Sequence, residues 1–247
     1  VLKPHDLGFL SALGITHVEI NPAPLIGLFS SGDEITTPGK PLSPGQIYDV
    51  NSISISSLLR NFRAKVIELG TAPDNYRSVQ QLMDKALEFK VDLIVSTAGV
   101  RMGAYDFVKH VLEENGSLHF WKVNMRPGKP LTFGCYRNTP FIGLPGNPVS
   151  AYVSSRIFIK AIINKFLGLS VEEKTEVTFT AEDIDSDGRE SYLRVKIEEN
   201  EGKFIAKLAQ HQGSGNMYSL VCANALLIVP AGVKSLPKGT RANFIPL

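Results

Sequence analysis

In the first two-thirds of the chain, short continuous apolar runs alternate with stretches in which apolar residues recur at helical spacing. Short apolar runs, which are typical of buried strands, occur at 25–29, 66–69, 92–96 and 141–144. Apolar residues at helical spacing predict helices over 49–63, 76–90, 107–112 and 149–166. Strands that alternate with helices indicate a mostly parallel sheet covered on both faces, so this part of the chain predicts a three-layer α/β domain.

After residue 168 the pattern changes to short runs in which apolar and polar residues alternate. Strands are predicted from these runs at 192–197, 204–208, 225–229 and 242–246. Their close spacing suggests a small β-barrel or sandwich, with a hairpin turn at 200–202. We therefore expect three parts, which are a connector over 1–20, an α/β domain over 21–170 and an all-β domain over 171–247.

Composition narrows the classes of protein to which the chain can belong. The net charge of +2 over 247 residues, without a run of Lys or Arg, argues against binding to nucleic acid or a membrane surface. The most apolar predicted helix, 157–169, contains Lys160 and Lys165 and is too short to span a bilayer. No signal peptide is visible and the two cysteines lack metal-ligand spacing, so we expect a cytoplasmic protein without structural zinc.

Polar loops follow the predicted parallel strands, at the edge where sheets of this type bind their ligands. Three of these loops carry Asp33, Asp74 and Asp106. Three carboxylates at one edge would suit a divalent cation, above all Mg²⁺. Asp is also common in turns and at helix N-caps, and Asp106 is expected to precede a helix, so each carboxylate has a structural interpretation as well.

Two loops rich in Pro and Gly, at 125–130 and 143–150, flank a predicted buried strand. The first carries the cations Arg126 and Lys129, and the second opens a helix whose N–H groups attract negative charge. Pro fixes φ and Gly lets a ligand approach the backbone closely, so the pair predicts a rigid clamp for an anion. The alternative is a pair of simple turns with solvated charges.

Other candidate groups give weaker signals. Arg189 and Arg194 would add positive charge from the second domain, and the Gly-flanked Ser214 can donate to an oxyanion or lie in a plain turn. The loop at 96–103 is similar to loops that hold phosphate through backbone N–H groups, but it lacks a Walker A ending. Ser150 has no visible His and Asp partners, so a serine hydrolase is not indicated.

Taken in order, these segments resemble the motifs of one family. They are Ser30-Ser-Gly-Asp-Glu34, Tyr48-Asp-Val-Asn51, the loop at 96–103 with Tyr105-Asp106, Arg126-Pro-Gly-Lys-Pro130, Leu144-Pro-Gly-Asn-Pro-Val-Ser150, Gly188-Arg189, His211-Gln-Gly-Ser214 and Ala223-Asn-Ala-Leu226. The chain resembles the MoeA/gephyrin-type molybdopterin molybdenumtransferases over nearly its whole length. The resemblance implies a molybdopterin-binding α/β domain followed by a small β-barrel. It also implies an enzyme of molybdenum cofactor biosynthesis, which inserts molybdate into adenylated molybdopterin with Mg²⁺ and releases AMP.

The resemblance further implies roles for individual residues. Catalytic roles fall to Lys129 and to three acids that would hold Mg²⁺, which are Asp33, Asp74 and Asp106. Molybdate would be held by Arg126, Lys129, Arg189 and Ser214, and the pterin nucleotide by the loops at 96–103 and 145–150. The whole implied substrate-binding set is Ser31, Gly32, Ser96, Gly99, Gly103, Arg126, Pro127, Gly128, Pro130, Pro145, Gly146, Asn147, Pro148, Ser150, Arg189 and Ser214.

The chain also departs from the family pattern. Thr97-Ala-Gly99 stands where the family commonly has Ser-Gly-Gly, and the Cβ of Ala98 restricts the backbone there. The resemblance implies that residues 1–20 return from an N-terminal lobe, which closes the partner's active site in a homodimer. On that basis the chain is expected to be a fragment that binds substrate but is inactive without the lobe.

Two other functions share parts of this pattern. Molybdopterin adenylyltransferases would supply the adenylated substrate upstream, and they share the α/β domain but lack a barrel like residues 174–247. A non-catalytic scaffold similar to gephyrin is the second alternative. The acidic and cationic residues at the predicted site favour chemistry over a scaffold role.

Overall fold

The computed structural model of the chain describes residues 1–98, 102–209 and 211–247 and shows two domains. The α/β domain and the segment before it contain α1 (Pro4–Ala12), β1 (Leu25–Ser31), β2 (Ile35–Thr36), β3 (Ile47–Tyr48), α2 (Val50–Asn61), β4 (Lys65–Ala72), α3 (Tyr76–Glu88), β5 (Leu93–Ala98), α4 (Met102–Asn115), β6 (Gly116–Phe120), β7 (Met125–Arg126), β8 (Thr132–Tyr136), β9 (Thr139–Leu144), α5 (Pro148–Ser154) and α6 (Lys160–Phe166). The second domain contains β10 (Glu176–Thr180), β11 (Ile184–Asp185), β12 (Glu190–Asn200), β13 (Lys203–Leu208), α7 (Tyr218–Val221), β14 (Ala225–Val229), β15 (Ser235–Leu236) and β16 (Arg241–Pro246).

The central sheet of the first domain has six strands in the order β4-β1-β5-β9-β8-β6. The first four strands run parallel to one another, whereas β8 and β6 run antiparallel to their neighbours. The prediction of a mostly parallel α/β sheet is therefore confirmed. The single strand predicted between the two Pro- and Gly-rich loops is a hairpin of two strands, since the polar residues around Arg137 (φ +50) form its turn.

Alternating side chains of β1 enter two different apolar cores. Ile26 and Leu28 pack with Ile55 and Leu59 of α2 on one face of the sheet. Phe29 packs with Met83 of α3 on the other face. The helices α5 and α6 cover the first face with α2, and α4 covers the second with α3, which gives the predicted three layers.

The helices α2 and α3 begin where side chains satisfy their free N–H groups. Asp49 accepts a hydrogen bond from the backbone of Ser52 at 2.9 Å and caps α2, and Asn75 caps α3. The expectation that Asp106 precedes a helix is wrong, because α4 begins at Met102 and Asp106 lies inside it. The predicted helix over 149–166 is continuous but contains a π-helical turn at Ser155–Ile159.

The segment 1–20, predicted as a connector, contains the helix α1. No residue of α1 is buried, and apolar side chains such as Leu7 and Phe9 are exposed. The connector role of this segment stays a prediction. None of the helices in the described part of the chain is long and apolar enough to cross a membrane.

The second domain is a closed barrel of five strands. The order β13-β10-β16-β14-β12 is completed by the pairing of β12 with β13, so no main strand is left as an edge. The hairpin turn predicted at 200–202 is present, with positive φ at Glu201 and Gly202. Leu193, Val195 and Leu227 lie in the apolar interior of the barrel.

A short strand of the first domain joins the two domains. Met125 and Arg126, which the sequence placed in a loop, form β7 and pair in parallel with Glu190 and Ser191 of β12. An apolar cluster that includes Met125 packs the helix α5 against the outside of the barrel. The segment that carries the predicted anion clamp is therefore held by both domains.

Candidate active site at the domain junction

The two Pro- and Gly-rich segments meet because of the hairpin between them. In the antiparallel pair β8–β9, Thr132 lies opposite Gly143. The segment 126–130 leads into β8 and the segment 145–150 leaves β9, so both lie at the same edge of the sheet. This is also the edge where the parallel strands β1, β4 and β5 end, which is where ligands bind in such sheets.

The segment 126–130 has a buried middle and an exposed end. Pro127 and Gly128 are buried, whereas Lys129 and Pro130 are exposed. The carbonyl oxygen of Lys129 accepts a hydrogen bond of 3.0 Å from the backbone N–H of Val123. The backbone of Lys129 is thus fixed while its ammonium group can reach a ligand.

Gly128 lies against the helix α5 in a conformation that favours glycine. Its φ is +108°, and a Cβ at this position would lie 2.5 Å from the buried Oγ of Ser154.

We expect Gly128→Ala to lower the free energy of unfolding by roughly 2–4 kcal/mol, because it adds a steric clash to backbone strain. Urea unfolding checks this against Gly45→Ala, where φ is +84° but a Cβ meets nothing within 4 Å. Equal losses in the two variants would show that the contact with Ser154 does not matter.

The turn at 145–150 is held by two distant groups. The Nδ2 of Asn51 donates to the carbonyl oxygen of Gly146 at 2.8 Å. The backbone N–H of Val149 donates to the carbonyl oxygen of Ser214 at 3.0 Å. The second bond brings the barrel loop that carries Ser214 to the start of α5. The exposed side chain of Asn147 makes no capping bond there, so it can contact a ligand.

We expect Asn51→Ala to destabilise the protein by roughly 1–3 kcal/mol. The substitution removes the donor to Gly146 and leaves a carbonyl oxygen without its partner. Asn61→Ala is the matched control, because Asn61 is exposed at the end of the same helix and should cost less than about 0.5 kcal/mol. Thermal unfolding of both variants makes the comparison, and a similar shift in both would contradict the proposed role of Asn51.

Two partly buried arginines share one carboxylate at the junction. The Nε of Arg189 donates to Asp187 Oδ1 at 3.2 Å and to Oδ2 at 3.1 Å, and its NH1 donates to the carbonyl oxygen of Met125 at 3.4 Å. Arg126 NH1 lies 3.8 Å from Asp187 Oδ2. Hydrogen bonds from Arg189 lower the pKa of Asp187 to about 2. Arg126 and Arg189 therefore lie on either side of one carboxylate.

A third arginine, Arg194, is buried beneath the loop that carries Ser214. Its NH2 donates to the carbonyl oxygen of Gly213 at 3.1 Å, and its Nε donates to Ser219 Oγ at 3.2 Å. Burial, together with the charge of Arg126, lowers the pKa of Arg194 to about 10, so it stays charged at neutral pH. No carboxylate in the described part of the chain forms an ion pair with it, and its charge therefore adds to the positive potential of the junction.

The acidic residues lie at the same edge, beyond β1 and β4. The backbone N–H of Asp74 donates to Asp33 Oδ1 at 3.1 Å, so the two acids are adjacent. Mg²⁺ takes one or two carboxylates and completes its shell with waters and phosphate oxygens, and this pair fits that requirement. The residues described hold no group of three acidic, His or Cys side chains around a common point.

A buried hydrogen-bond network fixes the end of β1 beside this acidic pair. Ser30 Oγ donates to Asp49 Oδ2 at 2.7 Å, and Thr97 Oγ1 donates to Ser30 Oγ at 3.2 Å. The network ties β1 to β5 and to the start of α2. It positions Ser31 and Gly32, two of the predicted binding residues, immediately before Asp33.

The remaining predicted site residues are placed less completely. Gly99 lies outside the residues that the structure describes. Gly103 and Asp106 lie in α4, and the side chain of Asp106 is outside the description as well. Ser31 is buried at the end of β1, Ser96 is buried within β5, and Ser150 is buried in the first turn of α5. The sequence analysis gives no role to Asn51, Asp187 or Ser154. Each of them has a contact far along the chain, which is with Gly146, Arg126 and Gly128 respectively.

Both domains of the chain are similar to families of known proteins. A family model described as a probable molybdopterin binding domain matches residues 27–165. A model of the MoeA C-terminal region, domain IV, matches residues 179–247. The chain belongs to the family of MoeA-type molybdopterin molybdenumtransferases. The resemblance to this family is therefore confirmed, and the roles of the individual residues stay predictions.

Individual MoeA relatives match the chain over most of its length. A molybdopterin molybdenumtransferase from Nostoc sp. is 33% identical over 246 residues, covering 96% of this chain and 56% of the relative. Molybdopterin molybdenumtransferase 2 from Mycobacterium tuberculosis is 32% identical, covering 98% of this chain and 61% of the relative. The crystal structure of a MoeA protein from Pyrococcus horikoshii has a TM-score of 0.85 at 28% identity, covering 99% of this chain and 60% of that one. The chain thus spans less than two-thirds of the length of these relatives.

Proposed function

We propose that this MoeA-type protein inserts molybdate into adenylated molybdopterin, with release of AMP. The observation that carries the proposal is the meeting of three segments at one edge of the sheet, which are 126–130, 145–150 and the barrel loop at 211–215. They bring cations and hydrogen-bond donors together, and the acidic pair Asp33 and Asp74 follows neighbouring strands at the same edge.

The cationic residues would hold the tetrahedral oxyanion. Lys129 supplies a mobile ammonium on a fixed backbone, and Arg126 and Arg189 supply guanidinium groups that bind oxyanions through paired N–H donors. The hydroxyl of Ser214 would add a neutral donor from the barrel. Buried Arg194 holds the carbonyl oxygens of this barrel loop and so positions Ser214.

The acidic residues would act on the phosphate part of the substrate. Asp33 and Asp74, with Asp106 as a further candidate, would hold Mg²⁺ against the phosphates of the adenylated pterin. When bound, the cation would neutralise the charge of the leaving AMP and orient its phosphate. The turn at 145–150 would place the pterin nucleotide between the acidic residues and the cationic residues. The strands β1 and β9 that lead to these residues are separated only by β5, so they lie about 10 Å apart.

The proposal is tested by measuring AMP release from adenylated molybdopterin with Mg²⁺, with and without molybdate. The assay uses the natural polypeptide that carries this sequence, with any flanking residues. AMP release that depends on molybdate, and that is lost in Asp74→Asn, is the expected result. AMP release that is unchanged when molybdate is omitted would contradict the proposal. A failure to release AMP when molybdate and Mg²⁺ are both present would contradict it as well.

Two further measurements distinguish the alternative functions. Formation of adenylated molybdopterin from molybdopterin and Mg-ATP would identify an adenylyltransferase, although the match of residues 179–247 to MoeA domain IV disfavours that activity. A scaffold would be expected to bind its protein partner equally well when a substitution in the predicted site has abolished cofactor synthesis. The clustering of acids and cations favours the transferase over both.

A further inference from the structure

The carboxylate of Asp187 occupies the donors that an oxyanion would use on Arg189. Both oxygens of Asp187 accept hydrogen bonds from the guanidinium Nε, and Oδ2 also accepts a short one from NH2. Guanidinium groups bind carboxylates and phosphates in this same bidentate arrangement. The Nε and NH2 donors of Arg189 are therefore engaged by Asp187.

Asp187 also lies beside the second predicted ligand-holding arginine. The pairing of β7 with β12 places Arg126 next to Ser191, on the barrel side of the junction. Gly188, with a φ of +83°, turns the chain so that Asp187 faces back towards Arg189. Arg126 NH1 lies 3.8 Å from the same Oδ2, so one carboxylate stands between the two cations.

The ion pair is accessible enough to exchange with a ligand. The side chains of Asp187, Arg189 and Arg126 are 37%, 32% and 41% exposed. The low pKa of Asp187 means that its carboxylate stays ionised throughout the neutral range. Arg194 differs from Arg189 in both respects. It is buried, and in the described part of the chain its guanidinium contacts only Ser219 and carbonyl oxygens, not a carboxylate.

We propose that Asp187 is an internal competitor that must release Arg189 before an oxyanion binds, and that it thereby lowers the affinity of the site. This inference rests on the proposed function, since it assumes that Arg126 and Arg189 hold the oxyanion. The physical reason is that one guanidinium edge cannot donate to two anions at once. A carboxylate beside the site also repels a doubly charged anion through space.

The test is a calorimetric titration of the purified protein with molybdate at neutral pH and fixed ionic strength. Asp187→Asn keeps the shape of the side chain and removes its charge, so we expect the dissociation constant to fall about threefold to tenfold. Asp185→Asn is the matched control, because Asp185 is exposed two residues earlier and loses the same charge. We expect its dissociation constant to change less than about twofold.

The outcomes separate this inference from the proposed function. Molybdate binding in the parent protein with unchanged or weaker binding in Asp187→Asn would overturn the competitor role, while the transferase proposal would stand. Weaker binding would show in addition that Asp187 orients Arg189. Equal gains in both variants would also overturn it, since net charge alone would then explain the change. No molybdate binding in the parent protein would overturn the oxyanion set and this inference together.

Discussion

Replacing Lys129 by Ala should lower the rate of molybdate-dependent AMP release by about 100-fold to 1,000-fold. This is the loss typical of removing one fixed donor from an anion-stabilising site. The effect is expected to be large because the structure holds the backbone of Lys129 through Val123 and through the buried turn at Pro127 and Gly128. The fixed backbone thus limits the region that its mobile ammonium group can reach.

Lys122→Ala is the control for the change at Lys129. Lys122 is exposed on the same stretch of chain, and its ammonium lies 3.5 Å from the centre of the Trp121 ring. Rates of AMP release should therefore be nearly unchanged in this variant. A loss in Lys129→Ala no greater than in Lys122→Ala would remove Lys129 from the proposed site.

Replacing Arg156 by Met should destabilise the fold by about 3 kcal/mol, at the lower end of the range for breaking a buried ion pair. Arg156 is 7% exposed in the π-helical turn, and its NH1 and NH2 lie 2.7 and 3.0 Å from the two oxygens of Glu173. Its NH2 also donates to the carbonyl oxygen of Pro246 in the last barrel strand. The contact to Lys160 that remains for Glu173 limits the loss.

Urea unfolding measures this loss against Arg60→Met. Arg60 and Glu68 form an exposed ion pair at 3.0 Å, which should contribute less than about 1 kcal/mol.

The ion pair of Arg156 with Glu173 also predicts that the stability of the protein depends on pH in the acid range. Burial opposes ionisation of Glu173, but hydrogen bonds from Arg156 and Lys160 outweigh it and lower the pKa.

A folded-state pKa below the unfolded value means that Glu173 contributes stability above the unfolded pKa of about 4.3 and loses it as the pH falls through the lower folded value. The difference in stability between the parent and Arg156→Met should therefore shrink on acidification below about pH 4. A difference that stays constant down to the acid transition would show that the ion pair does not cause it.

Periodicity was sufficient to predict most of the α/β domain. Helices such as α3, whose Val79, Met83 and Ala86 recur at helical spacing, carry their signal within one element. The antiparallel strands β6 and β8 carry a weaker signal, because β6 lies at the sheet edge with most of its residues exposed. The sequence alone could not distinguish such strands from loops.

The contacts that form the site could not be predicted in the same way. Asn51 and Gly146 are far apart along the chain, and the bond between them depends on how α2 packs against α5. The strand β7 has only two residues and finds its partner in the other domain. Family motifs indicated which residues to examine, but only the packing of the two domains brings Arg126 close to Asp187 and Arg189.

The most direct test of the oxyanion site is the position of molybdenum in crystals of the protein grown with molybdate. Anomalous scattering locates the metal independently of any model of the ligand. The proposal predicts one site within reach of Lys129, Arg189 and Ser214, at the junction of the two domains. An ordered molybdenum site elsewhere, with that junction empty at saturating molybdate, would contradict the proposed oxyanion site.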